Sequence, residues 1–186
     1  MGIPTLIKTL TASNSASLEF VDGASDVVFD STYDEYMFVF TDINPVTDAA
    51  SLQFQVNATD DAGGGYDTSL ITSTVFRVYH SESNSVAGPE YLTGTDLAQS
   101  SNFQKIIENI GNGTDESAAG IMHLFSPAST TYVKHFYVRA ASYNNASAAH
   151  EFYVAGYIND TTAIDEIQFK MDSGNFDGVI QMYGIA

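Results

Sequence analysis

The chain has 186 residues, 44% of them apolar and 12% aromatic, with no Cys and no Trp. That length and apolar share fit a single domain, residues 1–186, with its own core and exclude a disordered chain, while the lack of Cys excludes disulfides and thiolate metal sites. Twenty-three Asp and Glu against 6 Lys and Arg give a net charge of -17, which argues against nucleic-acid binding, because neutralising phosphates takes clustered cations.

The first segment, MGIPTLIKTLTASNSA, holds no apolar run long enough for a signal peptide or a membrane span, so a soluble protein without membrane insertion is expected. Leu6 stands where myristoylation requires Ser or Thr. The segment reads as a first strand, with Leu6, Lys8, Leu10 and Ala12 on one face and Ile7 on the other. SLEFV (17–21) is a short strand closed by Asp22-Gly23, and DVVF follows. YMFVFTDI (36–43) is apolar on both faces and reads as a central strand ended by Asn44-Pro45.

SLQFQVNA (51–58) alternates cleanly, with Leu52, Phe54 and Val56 inward and Gln53, Gln55 and Asn57 outward. TDDAGGGYDTS (59–69) is the strongest turn signal in the chain. STVFRVYHS (73–81) is again a strand, followed by a long polar stretch from Glu82 to about Ser101. NFQKIIENIG (102–111) fits a short helix as well as a strand, since Phe103, Ile106, Ile107 and Ile110 have helical spacing. GIMHLFSP (120–127) is a strand bounded by Gly120 and Pro127.

Four alternating runs complete the chain. Phe136, Val138 and Ala140 oppose His135, Tyr137 and Arg139; Phe152, Val154 and Ile158 oppose Tyr153 and Tyr157; Ile167, Phe169 and Met171 oppose Glu166, Gln168 and Lys170. The last run, FDGVIQMYGI, is apolar on both faces and reads as more fully buried. The whole pattern predicts an all-β, antiparallel, jelly-roll-like β-sandwich of ten or eleven strands.

Nucleophile-elbow, phosphate-loop, dinucleotide and paired-His zinc motifs are all missing, which predicts a protein that is not an enzyme. Asp115 and Glu116 are neighbouring acids, but adjacent residues in a strand or turn point apart and do not flank a glycosidic bond. His80, His123, His135 and His150 each read as separate strand residues. Acidic side chains such as Asp22, Asp30, Asp48 and Asp60 fall at turns, as a solubilising surface requires. The sharper alternative is calcium held by Asp60, Asp61 and Asp67 in the 59–69 loop; no other cofactor is expected. The four Asn-x-Ser/Thr sites, at Asn57, Asn112, Asn145 and Asn159, read as chance in a polar surface. Tyr137, Tyr153, Tyr157 and Tyr183 lie on nominally polar faces, where they suit subunit contacts or sugar stacking unless a second sheet covers them.

The segments LIKTLTASNSASLEFV, STYDEYMFVFTDINP, SPASTTYVKHFYVRA and AGYINDTTAIDEIQFKMDSGNFDGVIQMYGI resemble a family of small β-rich virion proteins encoded by tailed phages of marine bacteria, from Leu6 to Ile185. The resemblance implies a structural protein of the virion exterior, a capsid decoration or cement protein or a fibre component, assembled in the bacterial host cytoplasm and acting through subunit packing. It implies other virion proteins as partners and a homotrimer, since phage lattices and fibres offer threefold sites. It carries over no catalytic residue. The competing expectation is a tail-fibre module that binds a receptor or a host surface glycan.

Overall fold

Period-two alternation runs through a computed structural model that describes residues 2–60, 65–66 and 69–186. Its strands are β1 (Thr5–Ser15), β2 (Ser17–Val21), β3 (Glu35–Pro45), β4 (Ala50–Ala58), β5 (Ile71–Ser81) and β6 (Ala87–Tyr91), then β7 (Gln104–Ile110), β8 (Ala118–Phe125), β9 (Lys134–Asn144), β10 (Ala148–Ile158), β11 (Ile164–Met171) and β12 (Phe176–Ile185). The described residues contain no helix, and every strand pair is antiparallel.

Hydrogen bonding in the order β1-β12-β3-β8-β9-β10-β5-β6 builds a wide layer, and β7-β4-β11-β2 builds a narrow one. The layers are joined by a bridge between Ile110 of β7 and Asn144 of β9 and by the short step from β1 into β2. The fold is therefore an all-β sandwich nearly closed into a barrel, as the alternation predicts.

Rings from the two layers meet at Phe169. Its centroid lies 5.3 Å from both Phe38 and Phe40 of the wide layer and 6.3 Å from Phe20 and Phe54 of its own. Phe54 in turn meets Phe136 edge to face at 5.0 Å. Phe20, Phe38, Phe54 and Phe169 are all 0% exposed. The inward residues expected for the C-terminal runs, Phe136, Val138, Ala140, Phe152, Val154 and Ile167 among them, are buried as their alternation requires.

Bulges account for several departures from the sequence reading. A register shift between Leu6 and Lys8 turns Leu6 to the outer face beside Tyr183, while Lys8 and Leu10 pair with the buried Met182 and Ile180. Leu6 thus does not share a face with Leu10 and Ala12, because one extra residue inverts the alternation. In β7 two adjacent isoleucines, Ile106 and Ile107, are both buried, since shifts leave extra residues between Lys105, opposite Gln53, and Ile110, opposite Ala50. The helical spacing of that segment is the signature of a bulged strand.

Other differences concern what covers each face. Gln55 and Asn57 are buried, not outward: the segments around Ser69 and Ser101–Asn102 lie over β4, and Gln55 Nε2 donates to the carbonyls of Ser69, Ser101 and Asn102. Val27 and Phe29 of DVVF are buried in a loop, with Asp22 accepting from the Phe29 N–H at 2.8 Å. Within the polar stretch after Ser81, Ala87–Tyr91 adds an edge strand against β5, which raises the strand number to twelve. Pro89 on that edge blunts further pairing.

The largest reversal is at β3 and β12. Both read as apolar on two faces, yet each is covered on one only. Phe38, Phe40, Ile180 and Met182 are buried, while Met37, Val39, Val179 and Tyr183 are only partly buried on the outer side.

Lys134 is 0% exposed, and its Nζ donates to the carbonyls of Asp160 and Thr162. Burial pushes its ammonium below the ordinary lysine value despite the opposing pull of Asp160 and Asp60. The cation ties the start of β9 to the 159–163 turn. Replacing Phe169 with Ala should cost about 3–5 kcal/mol in urea denaturation, because it removes the ring shared by both layers. A loss below about 1 kcal/mol would mean that the layers are held elsewhere.

Candidate functional site

The outer face of the wide layer is assembled by register. Reading across the strands, Leu6 of β1 pairs with Tyr183, Tyr183 with Met37, Met37 with His123 and His123 with Tyr137. Tyr137 then pairs with Ala155, and Ala155 with Thr74. Directly opposed antiparallel residues share a face, so this row stays on one side of the sheet. The next row runs Gln181, Val39, Ile121, Arg139, Tyr153 and Phe76, and ends on Tyr91.

Tyr137, Tyr153, Tyr157 and Tyr183 therefore come onto one face, the first three on neighbouring strands and Tyr183 three strands from Tyr137. The narrow layer packs on the opposite side and does not cover them. Tyr137 is 44% exposed, as are Phe76 at 42% and Tyr91 at 51%.

The face divides at the His123–Tyr137 stack, whose rings lie 4.5 Å apart and nearly parallel. On one side β1, β12, β3 and β8 present Leu6, Met37, Val39, Ile121, Val179 and Tyr183, interspersed with Thr9, Thr11, Thr41, Gln181 and Glu35. On the other, β9, β10 and β5 form a trough. Its floor is small, made by Thr72, Thr74, Ala155 and Gly156, and its walls are rings. One part of about 500 Å³ lies between Phe125, His135, Tyr137 and Tyr157. A second of about 330 Å³ lies between Phe76, Tyr137, Arg139 and Tyr153 and shares Thr74, Tyr137 and Ala155 with the first. Gly156, opposite the buried Phe136, faces the inner side, where a Cβ would sit 2.5 Å from the Thr72 carbonyl and 2.9 Å from the Phe136 ring; glycine there lets β9, β10 and β5 lie close beneath the trough.

The polar groups of the trough are matched in charge. Arg139 Nε donates to Glu151 at 2.6 Å while its guanidinium lies 5.7 Å from the Tyr153 ring centroid. The Glu151 hydrogen bond holds Arg139 above the ordinary arginine value, and the Arg139 bond holds Glu151 below the ordinary carboxylate value. Burial, and then the Glu35 carboxylate, push the Tyr137 phenol up, so its hydroxyl remains a donor. Phe76 and Tyr153 stack at 4.8 Å with an interplanar angle of 8°. Neither part of the trough is lined by Asp or Glu, in a chain with 23 of them.

The calcium candidates are only partly placed. Asp60 is exposed and accepts from the Thr162 hydroxyl at 3.0 Å; Asp61 and Asp67 lie outside the described residues. Among the described residues no three His, Asp or Glu side chains converge as metal ligands. Several acids instead fix turns: Asp30 accepts from the Thr32 N–H, Asp160 from the Thr162 N–H, Asp172 from the Ser51 N–H and Asp177 from the Asn14 N–H. Glu116 accepts from the Gly113 N–H at 2.6 Å, a turn contact and not half of an acid pair.

The histidines divide between faces. His80 lies outward against Asn84, and His123 contacts Glu35. His150 is on the inner face, 6% exposed, between the rings of Tyr79 and Phe152. Burial, and then the charge of Arg77, push its imidazole down to about 4, with Glu90 opposing. In the unfolded chain it titrates near its ordinary value, so the unfolded state binds more protons between about pH 6.5 and pH 4, and stability falls as pH falls through that window.

Compared with known proteins, the chain matches no family model, and no curated protein or solved structure matches it.

Chemical denaturation from pH 7 to pH 4 should show the His150 contribution, roughly 2–3 kcal/mol, as the difference between the native chain and His150→Phe. Parallel stability curves for the two proteins would show that His150 is not held neutral by the fold.

Proposed function

We propose that the chain is a structural protein of a phage virion exterior, a decoration, cement or fibre subunit, that assembles as a homotrimer through the β1-β12-β3-β8 half of its outer face. One observation carries the assembly reading. β3 and β12 have apolar residues on both faces, and only one face is covered by the narrow layer, leaving Met37, Val39, Val179 and Tyr183 partly buried beside Leu6 at 50% and Ile121 at 39% exposed. Strands composed for burial on two sides call for a second covering surface, and in a closed oligomer that surface is another copy. The resemblance of the segments from Leu6 to Ile185 to phage virion proteins supports the location.

Charge sets the conditions. Copies carrying -17 each repel at low ionic strength, and salt at about 0.15 M screens beyond about 8 Å. Acidic loops facing water and an apolar half-face meeting its neighbour would suit assembly in a salty medium.

Sedimentation at low and high salt tests this directly. The native chain is expected to assemble more strongly as salt rises. Leu6→Glu together with Tyr183→Glu should leave a folded monomer at both salt levels. A native chain that stays monomeric at high micromolar concentration in high salt would contradict the reading, as would undiminished assembly of the double variant.

A further inference from the structure

The open trough on β9, β10 and β5 combines aromatic walls with hydrogen-bonding groups at its rim. Its rings are braced by neighbours: Tyr137 is backed by His123 at 4.5 Å, and Tyr153 is stacked with Phe76 at 4.8 Å with Arg139 over the ring at 5.7 Å, so these side chains are held in place before anything binds. Rings fixed in this way lose little rotamer freedom on binding. The small floor of Thr72, Thr74 and Ala155 leaves depth between the platforms. From Tyr153 to Tyr157 the trough runs four residues along β10, about 13 Å.

Hydrogen-bonding groups stand at the rim and not beneath the floor. The Arg139 side chain is 69% exposed and that of Glu151 35%, which offers guanidinium donors beside a carboxylate acceptor. His135 lies 6.3 Å from Tyr157 at the other end. A flat, weakly polar C–H surface bordered by equatorial hydroxyls is what stacked rings and a donor–acceptor pair fit together. Charge narrows the class further. Arg139 and the neighbouring Glu151 cancel each other, no carboxylate lines the trough itself, and the protein as a whole carries -17. A polyanion would meet a repelling field with no net positive charge at the site, and a polycation would find no carboxylate in the floor.

We propose that this trough binds an uncharged pyranose oligosaccharide lying along β10, with Tyr137, Tyr153 and Tyr157 as stacking platforms and the Arg139–Glu151 pair as the hydroxyl clamp. Binding at this half of the face is compatible with assembly through the other half, and it gives the chain a recognition function as well as a structural one.

The test uses the full chain on an array of neutral glycans, followed by calorimetry with neutral hexasaccharides of glucose, mannose and xylose and with an oligouronate as the anionic probe. A neutral probe should bind, with affinity changing less than about twofold between low and high salt, since no counterion release accompanies it. Tyr137→Ala and Tyr157→Ala should each weaken it about tenfold or more. Tyr132→Ala, on a side chain 74% exposed outside the trough, should leave it unchanged. Leu6→Glu should abolish assembly without touching sugar binding, which separates the two proposals. Failure of every neutral glycan overturns the inference. So does salt-sensitive binding of the oligouronate alone, or a Tyr137→Ala variant that loses self-association and nothing else.

Discussion

The contact of Phe169 with Phe38 and Phe40 is the constraint on which the rest depends. It holds the narrow layer against the middle of the wide one and so decides which side of the wide layer is inside. Once β11 and β4 cover the inner side, the alternation of each strand sends every second residue outward. The tyrosines of β9, β10 and β12 are then outward without further specification.

That geometry also explains why the sheet outgrows its partner. Eight strands lie in one layer and four in the other, and β7 of the narrow layer reaches β5, where the Ser73 hydroxyl donates to Gln104 Oε1 at 2.5 Å. The segment between β6 and β7 shields part of the inner side of β5: Ser73 O and N engage it, with Leu97 N–H donating to the Ser73 hydroxyl at 2.9 Å and the Ser73 N–H donating to the Leu97 carbonyl. On the outer side, which carries the trough, the same segment reaches only the edge, where the Gln99 N–H and Nε2 donate to the Thr72 hydroxyl among the described residues.

Much of the fold was legible in the sequence because alternation is a local signal. The inward sets of β9, β10 and β11 follow directly from their period of two, and Tyr137, Tyr153 and Tyr157 could be placed on the opposite faces by the same rule. Bulges were not legible, since Leu6 and the Ile106–Ile107 pair depend on one extra residue in a pairing that the strand alone does not reveal. Cover was not legible either. Gln55 looks outward until the Ser69 and Ser101 segments close over it, and β3 looks doubly buried until its outer residues Met37 and Val39 are found only partly buried. The trough was missed for a related reason. Thr74 and Phe76 read as ordinary residues of an isolated strand, and only the pairing of β5 with β10 brings them beside Ala155 and Tyr153.

The central claim is that the outer face of the wide layer is the working surface, half covered by a neighbour and half open. If the chain is the virion protein proposed above, cryo-electron microscopy of phage particles that carry it tests this arrangement most directly. The account predicts the chain on the particle exterior in threefold groups, with Leu6, Met37 and Tyr183 against an adjacent subunit and the Tyr137–Tyr157 trough facing solvent. Particles lacking the chain, or copies whose β3 and β12 outer faces point into solvent while the narrow layer makes the contacts, would contradict it.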